Sequence, residues 1–299
     1  MDIRRTWRQM KKKKHCYAFL APFFILFFIF TCVPVLAAVG LSLTSYNAME
    51  MPKFVGLQNY MQLFFKDDLF PQALSNTLTM ALFVGPGGYL FSLLVAWMIN
   101  ELSRGLRTSL VVLFYAPSIS GNAFLIWSLL LSGDSYGLIN SWLLDLGLIY
   151  TPIQFMTDTS YMMIVVIIVT LWISLGTGFL SFVAGLQGID KSLYESGAID
   201  GISNRWQELW FITLPSMKPQ LVFGAVLSIA GAFSVGGVGE ALCGNPSTDY
   251  AVHTLVNHMT DYAGTRCEMG YACAISTVLF IMTIASNKLV NRLLRKVGT

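Results

Sequence analysis

The 299-residue sequence predicts an all-α integral membrane protein with six transmembrane helices and a polar helix-turn-helix between the fourth and fifth. Three observations support this fold class. Hydrophobic residues make up 55% of the chain and charged residues only 12%, about half the charged fraction of a typical soluble domain. Six segments are long and apolar enough to cross a bilayer, which takes about 20 mainly apolar residues. One polar stretch between them carries helix start and stop signals.

The predicted spans contain neither Lys nor Arg. They are 17–44, 75–100, 110–132, 161–187, 220–243 and 269–287. They form a single transmembrane domain, 17–290, between a basic tail at 1–16 and a second tail at 291–299. The first run is too long for the core of a secretory signal, which has about 7–15 residues. We therefore expect it to remain as the first span.

The basic residues predict the orientation, since Lys and Arg favour the cytoplasmic side of short loops. If both termini are inside, sixteen of the 19 Lys and Arg residues are cytoplasmic, and only Lys53, Lys66 and Arg266 are outside. The opposite orientation reverses these numbers. We therefore expect cytoplasmic termini, and the net charge of +3 then reflects topology rather than a nucleic-acid surface.

The polar segment 188–219 begins with a predicted helix of its own. Ser192 and Glu195 have the spacing of a capping box, in which each side chain bonds to the backbone of the other. Gly201 suits the end of this helix, where a left-handed backbone angle is needed. The segment therefore has a defined first helix and a tight turn after it.

A second short helix is predicted after the turn. Ser203 or Asn204 caps its start, Pro215 ends it, and Pro219 begins the next span. Four residues recur at helical spacing and give it one largely apolar face. They are Trp206, Leu209, Trp210 and Thr213.

This segment resembles the cytoplasmic coupling motif of permease subunits in binding-protein-dependent ABC importers, which runs roughly E-A-A-x-x-D-G-A, then F, then I-x-L-P. The matching residues are Glu195, Ala198, Asp200, Gly201, Ile212, Leu214 and Pro215. Further matches to the sugar-importer branch are 54–60, 76–78, Trp127, 136–140, Trp172 and 270–272. The resemblance covers about 17–290. Its G-L-x-N-Y segment indicates the first of two paired permeases, of the maltose or glycerol-phosphate type.

The resemblance implies a permease subunit that forms half of a translocation pathway for a sugar or oligosaccharide in the bacterial plasma membrane. The implied partners are a second homologous permease, two cytoplasmic ATPase subunits, an external substrate-binding protein and the lipid bilayer. The implied ATPase-coupling residues are Glu195, Ala198, Asp200, Gly201, Trp206, Leu209 and Trp210. Ser196, Gly197 and Ile202 replace alanines of the motif, so we expect a docking surface of altered shape.

The chain lacks the phosphate-binding pattern G-x-x-x-x-G-K-[ST]. We therefore expect ATP and Mg to bind to the partner ATPase subunits, and no cofactor in this chain. No metal constellation or nucleophile–base pair is evident, so no catalytic or metal-binding residue is predicted. His253 and His258 are expected at the surface. Cys243 and Cys267 are either a disulfide on the outer face or ordinary thiols.

In the resembling importers, the spans before and after the motif line the pathway. Trp172 matches a Trp of the family pattern, and the polar residues on these two spans are Thr170, Ser174, Thr177, Ser228, Ser234 and Glu240. Hydroxyls, a carboxylate and an aromatic ring suit a neutral polyhydroxy ligand. The absence of Lys and Arg there argues against an acidic solute. Each hydroxyl has an alternative, which is bonding back to its own helix, and Glu240 has an alternative place in the outer interface.

The family pattern is broken near this predicted site. Gly236-Gly237 stands where a Phe-Asp pair is usual, and 243–246 reads C-G-N-P instead of T-G-G-P. Glycines at 85, 87 and 88 either face a pathway or permit close helix packing. For Gly236, Gly237 and Gly239 we favour the pathway, because Glu240 is adjacent.

Two further interpretations stay open. The first outer loop places Leu57, Tyr60, Met61, Phe64 and Phe65 at helical spacing, which indicates a helix lying in the membrane interface or a contact with the external binding protein. The alternative function is a secondary, ion-coupled transporter. That class is expected to show inverted repeats and carboxylates near the membrane midplane, whereas this chain offers no repeat and only one such carboxylate.

Overall fold

The computed structural model describes residues 14–294, with side chains described from 17 to 292. The basic residues before 14 and those after 294, which enter the orientation argument, lie outside the described residues. The described chain divides into two compact units. One comprises residues up to 66 together with 262–277, and the other comprises 67–261 together with the residues from 278 onward.

The first unit is built on a long apolar helix. Its elements are α1 (Lys14–Phe27), a π-turn (Phe28–Cys32), α2 (Val33–Leu41), strands β1 (Thr44–Ser45) and β2 (Lys53–Phe54), and α3 (Gln58–Phe65). The two strands pair antiparallel with Thr44 opposite Phe54. Gly270 lies against this hairpin, because its N–H donates to the Tyr46 carbonyl at 2.8 Å and a Cβ there would collide with the Thr44 oxygen.

The described secondary structure of the second unit is entirely helical and includes a short 3₁₀-helix, Thr248–Tyr250. Its elements are α4 (Phe70–Asn100), α5 (Arg104–Ile119), α6 (Leu125–Leu130), α7 (Leu138–Asp145), α8 (Thr159–Ile173), α9 (Thr177–Gln187), α10 (Lys191–Ile199), α11 (Arg205–Glu208), α12 (Leu214–Ser216), α13 (Lys218–Phe233), α14 (Gly237–Cys243) and α15 (Leu255–Thr260). A π-turn, Leu209–Thr213, joins α11 to α12. A second π-turn (Asp261–Thr265) precedes α16 (Met269–Leu294), which begins in the first unit and ends in the second.

Three helices of the second unit share its largest core. Leu93, Ala96 and Ile99 of α4 pack with buried residues of α9 and with Leu221 of α13. Phe179 and Phe182 of α9 are fully buried in this cluster. Close approach is possible because Gly224 lies under Phe182, where a Cβ would strike the ring. The result is a firm bundle of α4, α9 and α13 that positions the polar residues described below.

The helices differ from the predicted spans in their number and in the bounds of the third span. Three described helices are long and apolar enough to cross a membrane, and the count rises to five if two bent pairs are each taken as one span. The predicted third span, 110–132, falls on α5, a turn and the six-residue α6. Pro117 removes a backbone donor near the end of α5. The predicted count of six is therefore not confirmed.

Candidate functional site: a capped polar segment and a hydroxyl-lined cavity

The first helix of segment 188–219, α10, begins at a different cap from the one predicted. Asp190 Oδ1 accepts a hydrogen bond from the Ser192 backbone N–H at 3.0 Å. The backbone and side chain of Ser192 both donate to this carboxylate and lower the pKa of Asp190. The predicted capping box of Ser192 and Glu195 is wrong, because Ser192 is the second helical residue and its N–H is the group being capped.

The end of α10 forms the predicted glycine turn. Gly201 has φ of +91°, and its N–H donates to the Ala198 carbonyl at 3.3 Å. The Ile202 N–H reaches back to the Gly197 carbonyl at 2.9 Å. These two bonds are those of a Schellman motif, which satisfies the last helical carbonyls. Gly201 thus gives the segment a compact tip.

The second helix is capped by Asn204, one of the two predicted residues, which accepts from the Trp206 N–H at 2.7 Å. Its buried face differs from prediction. Leu209, Ile212 and Thr213 are buried, whereas Trp206 and Trp210 are 62% and 64% exposed. The physical reason is the π-turn, which replaces the 3.6-residue period and brings Ile212 inward in place of Trp210.

The two helices of the segment pack closely against each other. A Cβ at Gly197 would lie 2.6 Å from Ile212 Cδ1, so the glycine that replaces a motif alanine makes room for this side chain. Tyr194 Oη and Thr213 Oγ1 share a hydrogen bond of 2.9 Å. The altered docking surface expected from the sequence therefore has a packing explanation inside the segment.

The segment is attached to the C-terminal end of α4. The rings of Trp97 and Trp206 lie 5.2 Å apart between centroids. Arg205 contacts Glu101 at 3.5 Å and Glu208 at 2.8 Å, and these acceptors raise the pKa of the Arg205 guanidinium, with Glu208 the larger influence. The second helix meets α13 at a bend of 83°. It therefore runs nearly perpendicular to a candidate span.

A cavity of about 320 Å³ lies among α4, α8, α9 and α13, and most of its lining surface is apolar. Its lining residues carry hydroxyl groups and small or apolar side chains, and none of them is charged. They are Val84, Gly88, Ser92, Thr170, Ile173, Ser174, Thr177, Gly178, Leu227, Ser228, Gly231 and Ala232. Four of the seven predicted pathway residues therefore meet at one cavity.

The cavity borders a break between α8 and α9, where the helix axis bends by 44°. Thr170 and Ser174 donate to carbonyls of their own helix, each at 2.6 Å, as the back-bonding alternative predicted. Their oxygens can still accept. Within the described part of the chain Thr177 and Ser228 have no side-chain hydrogen bond, so their hydroxyls can both donate and accept. The arrangement suits a ligand with many hydroxyl groups.

The other three predicted pathway residues lie elsewhere. Trp172 packs edge-on against Trp127, with centroids 5.8 Å apart. Ser234 is exposed and donates to the Ala230 carbonyl at 2.9 Å. Glu240 is exposed on α14, with Asn257 Nδ2 at 3.5 Å from its carboxylate. None of the three lines the hydroxyl-lined cavity.

Two of the cavity residues on α4 are Gly88, for which a place on the pathway was one of two open alternatives, and Ser92, which sequence reasoning missed. Gly88 lies opposite Ser174, where a Cβ would come 2.9 Å from the Ser174 hydroxyl. Ser92 follows one turn later and is buried. The available signal was their spacing, because residues four apart share one helical face.

A second break, between α13 and α14, is closed by protein. The Val235 carbonyl accepts from Thr254 Oγ1 at 3.0 Å, and the Gly236 carbonyl accepts from Asn257 Nδ2 at 3.3 Å. A Cβ on Gly236 would lie 2.9 Å from Val256. The favoured interpretation, that these glycines face a pathway, gains no support from this packing.

His253 and His258 are buried, so their predicted surface location is wrong. His253 is 5% exposed and His258 only 1%. Their ring nitrogens approach to 3.3 Å, and His258 Nε2 lies 2.9 Å from Asp67 Oδ2. The cause is a loop that folds back onto α4, where Asn76 donates to two of its carbonyls. Cys243 and Cys267 are each free thiols.

Several apolar helices, bent spans and a perpendicular polar segment define a multi-pass membrane permease. Residues 88–298 match the family described as the inner membrane component of binding-protein-dependent transport systems. The chain is 32% identical to the probable ABC transporter permease protein YesP of Bacillus subtilis (strain 168), covering 94% of this chain and 91% of that protein. It is 31% identical to the arabinooligosaccharides transport system permease protein AraP of the same organism, covering 93% and 88%.

Solved structures give the same result. A crystal structure of a bacterial ABC transporter involved in the import of the acidic polysaccharide alginate matches with a TM-score of 0.77 and 25% identity, over 99% of this chain and 100% of that chain. The chain therefore belongs to the family of inner membrane components of binding-protein-dependent transport systems. This membership supports the importer over the secondary transporter.

Proposed function

We propose that this chain forms half of the pathway through which an ATP-driven importer moves a neutral sugar or oligosaccharide across a bacterial plasma membrane. The observation that carries the proposal is the cavity lined by Thr170, Ser174, Thr177 and Ser228. Irregular backbone at membrane depth is tolerated where it lines a water-filled space, and this cavity lies at a broken helix. Similarity to AraP favours an oligosaccharide.

The absence of charge in the cavity lining favours a neutral solute. An acidic sugar is normally held by Arg or Lys, because charge-assisted hydrogen bonds are about twice as strong as neutral ones. The similar transporter of known structure is involved in importing an acidic polysaccharide. We propose that this chain differs from it in solute charge, with hydroxyl groups at Thr177 and Ser228 forming the contacts.

The other subunits of the proposed importer are inferred from the family. We propose that a second homologous permease completes the pathway, that two cytoplasmic ATPase subunits bind ATP and Mg, and that an external binding protein delivers the solute. A related alginate transporter has been solved in complex with a periplasmic protein bound to an alginate pentasaccharide. This chain then performs no catalysis, and both of its termini lie in the cytoplasm.

The exposed tip of segment 188–219 is the proposed contact with the ATPase. Glu195, Ala198, Asp200 and Gly201 are exposed there, and Trp210 extends an apolar surface. Three of the proposed coupling residues differ in their surroundings. Leu209 is buried inside the segment, Trp206 packs on Trp97 but is still largely exposed, and Trp210 is exposed.

The pathway assignment is tested with Thr177→Val and Ser228→Ala in the assembled complex, with uptake of arabino-oligosaccharides as the readout. Losing one hydrogen bond of about 0.5–1.5 kcal/mol should lower uptake roughly two- to tenfold. Ser234→Ala is the matched control, since its hydroxyl lies outside the cavity. Normal uptake in both cavity variants, with assembly intact, contradicts the assignment.

The coupling assignment is tested by Gly201→Val, which places a side chain on the exposed tip. ATP hydrolysis stimulated by loaded binding protein should fall to the basal rate. Gly147→Val is the control, because Gly147 also has a positive φ, of +66°, and open space around it. It imposes similar backbone strain outside the segment. Full stimulation in Gly201→Val, or equal loss in both variants, overturns the assignment.

A further inference from the structure

The short helix α3 has two opposite faces that make different contacts. Asn59 and Leu63 point into the protein and are buried. On the opposite side, Leu57, Met61 and Phe65 are exposed by 65%, 56% and 85%. These three residues share one face of the helix, since each is four positions from the next. The apolar exposed face therefore points away from the rest of its unit.

The position of α3 is fixed by hydrogen bonds to the end of the first apolar helix. Asn59 Nδ2 donates to the carbonyls of Ser42 at 2.7 Å and Thr44 at 2.9 Å. Tyr60 Oη and Ser42 Oγ lie 2.7 Å apart. Ser42 is the residue directly after α2 and is completely buried. Because Asn59 and Tyr60 of α3 both bond to this end, α3 stays at the depth where the apolar helix ends.

That depth corresponds to the headgroup region of a bilayer. The apolar helix Tyr17–Leu41 has 25 residues and so is roughly 37 Å long at 1.5 Å per residue. A bilayer has a hydrocarbon core of about 30 Å and a full thickness of about 40–45 Å. The end of the helix, and α3 with it, therefore lies between the edge of the hydrocarbon and the water.

We propose that α3 rests in the membrane interface, with Leu57, Met61 and Phe65 inserted among lipid chains, as a fixed anchor at the end of the first span. Gln58 and Gln62 flank this face and Lys66 follows the helix, and all three suit the headgroups. In the apolar helix Tyr17–Leu41, too, no residue is buried. The proposal concerns the bilayer contact and holds whatever solute is carried.

A protein partner fits this face less well. Two helical turns cover about 12 Å by 10 Å, a footprint on the order of 100–200 Å², whereas a stable protein interface buries about 800 Å² on each partner. Lipid needs no such area, since the gain from apolar burial is roughly proportional to the area removed from water. The bilayer is therefore the occupant that the geometry favours.

The test uses nitroxide labels on the full complex in vesicles of phosphatidylethanolamine and phosphatidylglycerol. Labels are attached at Met61→Cys or Phe65→Cys after the native cysteines are replaced by serine. Gln58→Cys is the matched control, one turn away on the polar flank. Collision with oxygen, which dissolves in lipid, is compared with collision by a water-soluble nickel chelate.

We expect a several-fold higher oxygen-to-nickel ratio at 61 and 65 than at 58, with or without the binding protein. Equal ratios at the three positions overturn the proposal. Protection that develops only when the binding protein is added also overturns it and identifies a protein contact instead. The measurement needs no transport, so its failure is separate from failure of the proposed import function.

Discussion

The two helix breaks of the second unit differ in what satisfies the freed backbone. At Ser174–Gly176 the chain bends beside a cavity of about 320 Å³ lined by hydroxyls. At Ser234–Gly236 the freed carbonyls are taken by Thr254 and Asn257. Both breaks contain serine and glycine, so local sequence does not distinguish them. The comparison teaches that a break marks a pathway only where no other part of the chain fills it.

The largest expected effect is in the loop that closes the second break. Asp67 Oδ1 accepts hydrogen bonds from the N–H groups of Leu69 and Phe70, at 3.0 and 3.2 Å, in the turn that leads into α4, and Oδ2 contacts buried His258. Asp67→Ala should lower the free energy of unfolding by about 3 kcal/mol, because it removes two bonds to backbone N–H groups and the contact with His258, each worth about 0.5–1.5 kcal/mol. Denaturant titration in mixed micelles measures it.

The same titration on Asp68→Ala is the control, since Asp68 is exposed and its neighbour makes the buried contacts. A loss below about 0.5 kcal/mol in Asp67→Ala shows that the outer loop is not held through this carboxylate. In that case this contact does not hold the second break closed, and the contrast between the two breaks is not supported.

A smaller difference in stability is expected between alanine substitutions of the glycines at the two breaks. Gly236→Ala places a methyl group 2.9 Å from Val256, whereas Gly176→Ala meets nothing closer than 3.6 Å. Overpacking should cost about 2 kcal/mol at Gly236 and well under 1 at Gly176. Thermal unfolding of the two purified variants compares them directly. Equal midpoints indicate that the second break is as roomy as the first.

The smallest expected effect concerns the hydroxyls. Thr254→Val removes the donor to the Val235 carbonyl and part of the cap of α15, so it should cost about 1–2 kcal/mol. Ser174→Ala removes a bond within its own helix and should stay within about 0.5 kcal/mol. The two variants are compared by denaturant midpoint. A larger loss in Ser174→Ala reverses the assignment of open and closed breaks.

The sequence predicted local features best where one residue type has one physical use. Gly201 at the left-handed turn, Asn204 as a cap and Pro219 at the start of α13 follow from backbone chemistry alone. The Asp190 cap was available from sequence too, but the Ser-x-x-Glu spacing competed with it. The helical class followed from composition, because a chain with so few charges has few alternatives.

Other features depend on contacts between distant segments. The burial of His258 results from Asp67, which is 191 positions away. The turn of Trp210 to the surface results from a π-turn that helical periodicity does not reveal. Trp172 was placed on the right helix but faces Trp127. For His258 and Trp172 the deciding partner comes from another part of the chain, so a local pattern carries no information about it. For Trp210 the cause is local, but a π-turn breaks the periodicity on which the prediction was based.

Met217 lies at the 83° corner between the second helix of segment 188–219 and α13. It is wholly buried in the core shared with α4 and α9, so packing holds this corner in place. Trp206 and Ser228 are each eleven residues from it, roughly 16 Å along either arm at helical rise. With arms of equal length, a rotation about Met217 shifts the indole at one end and the hydroxyl at the other by comparable distances.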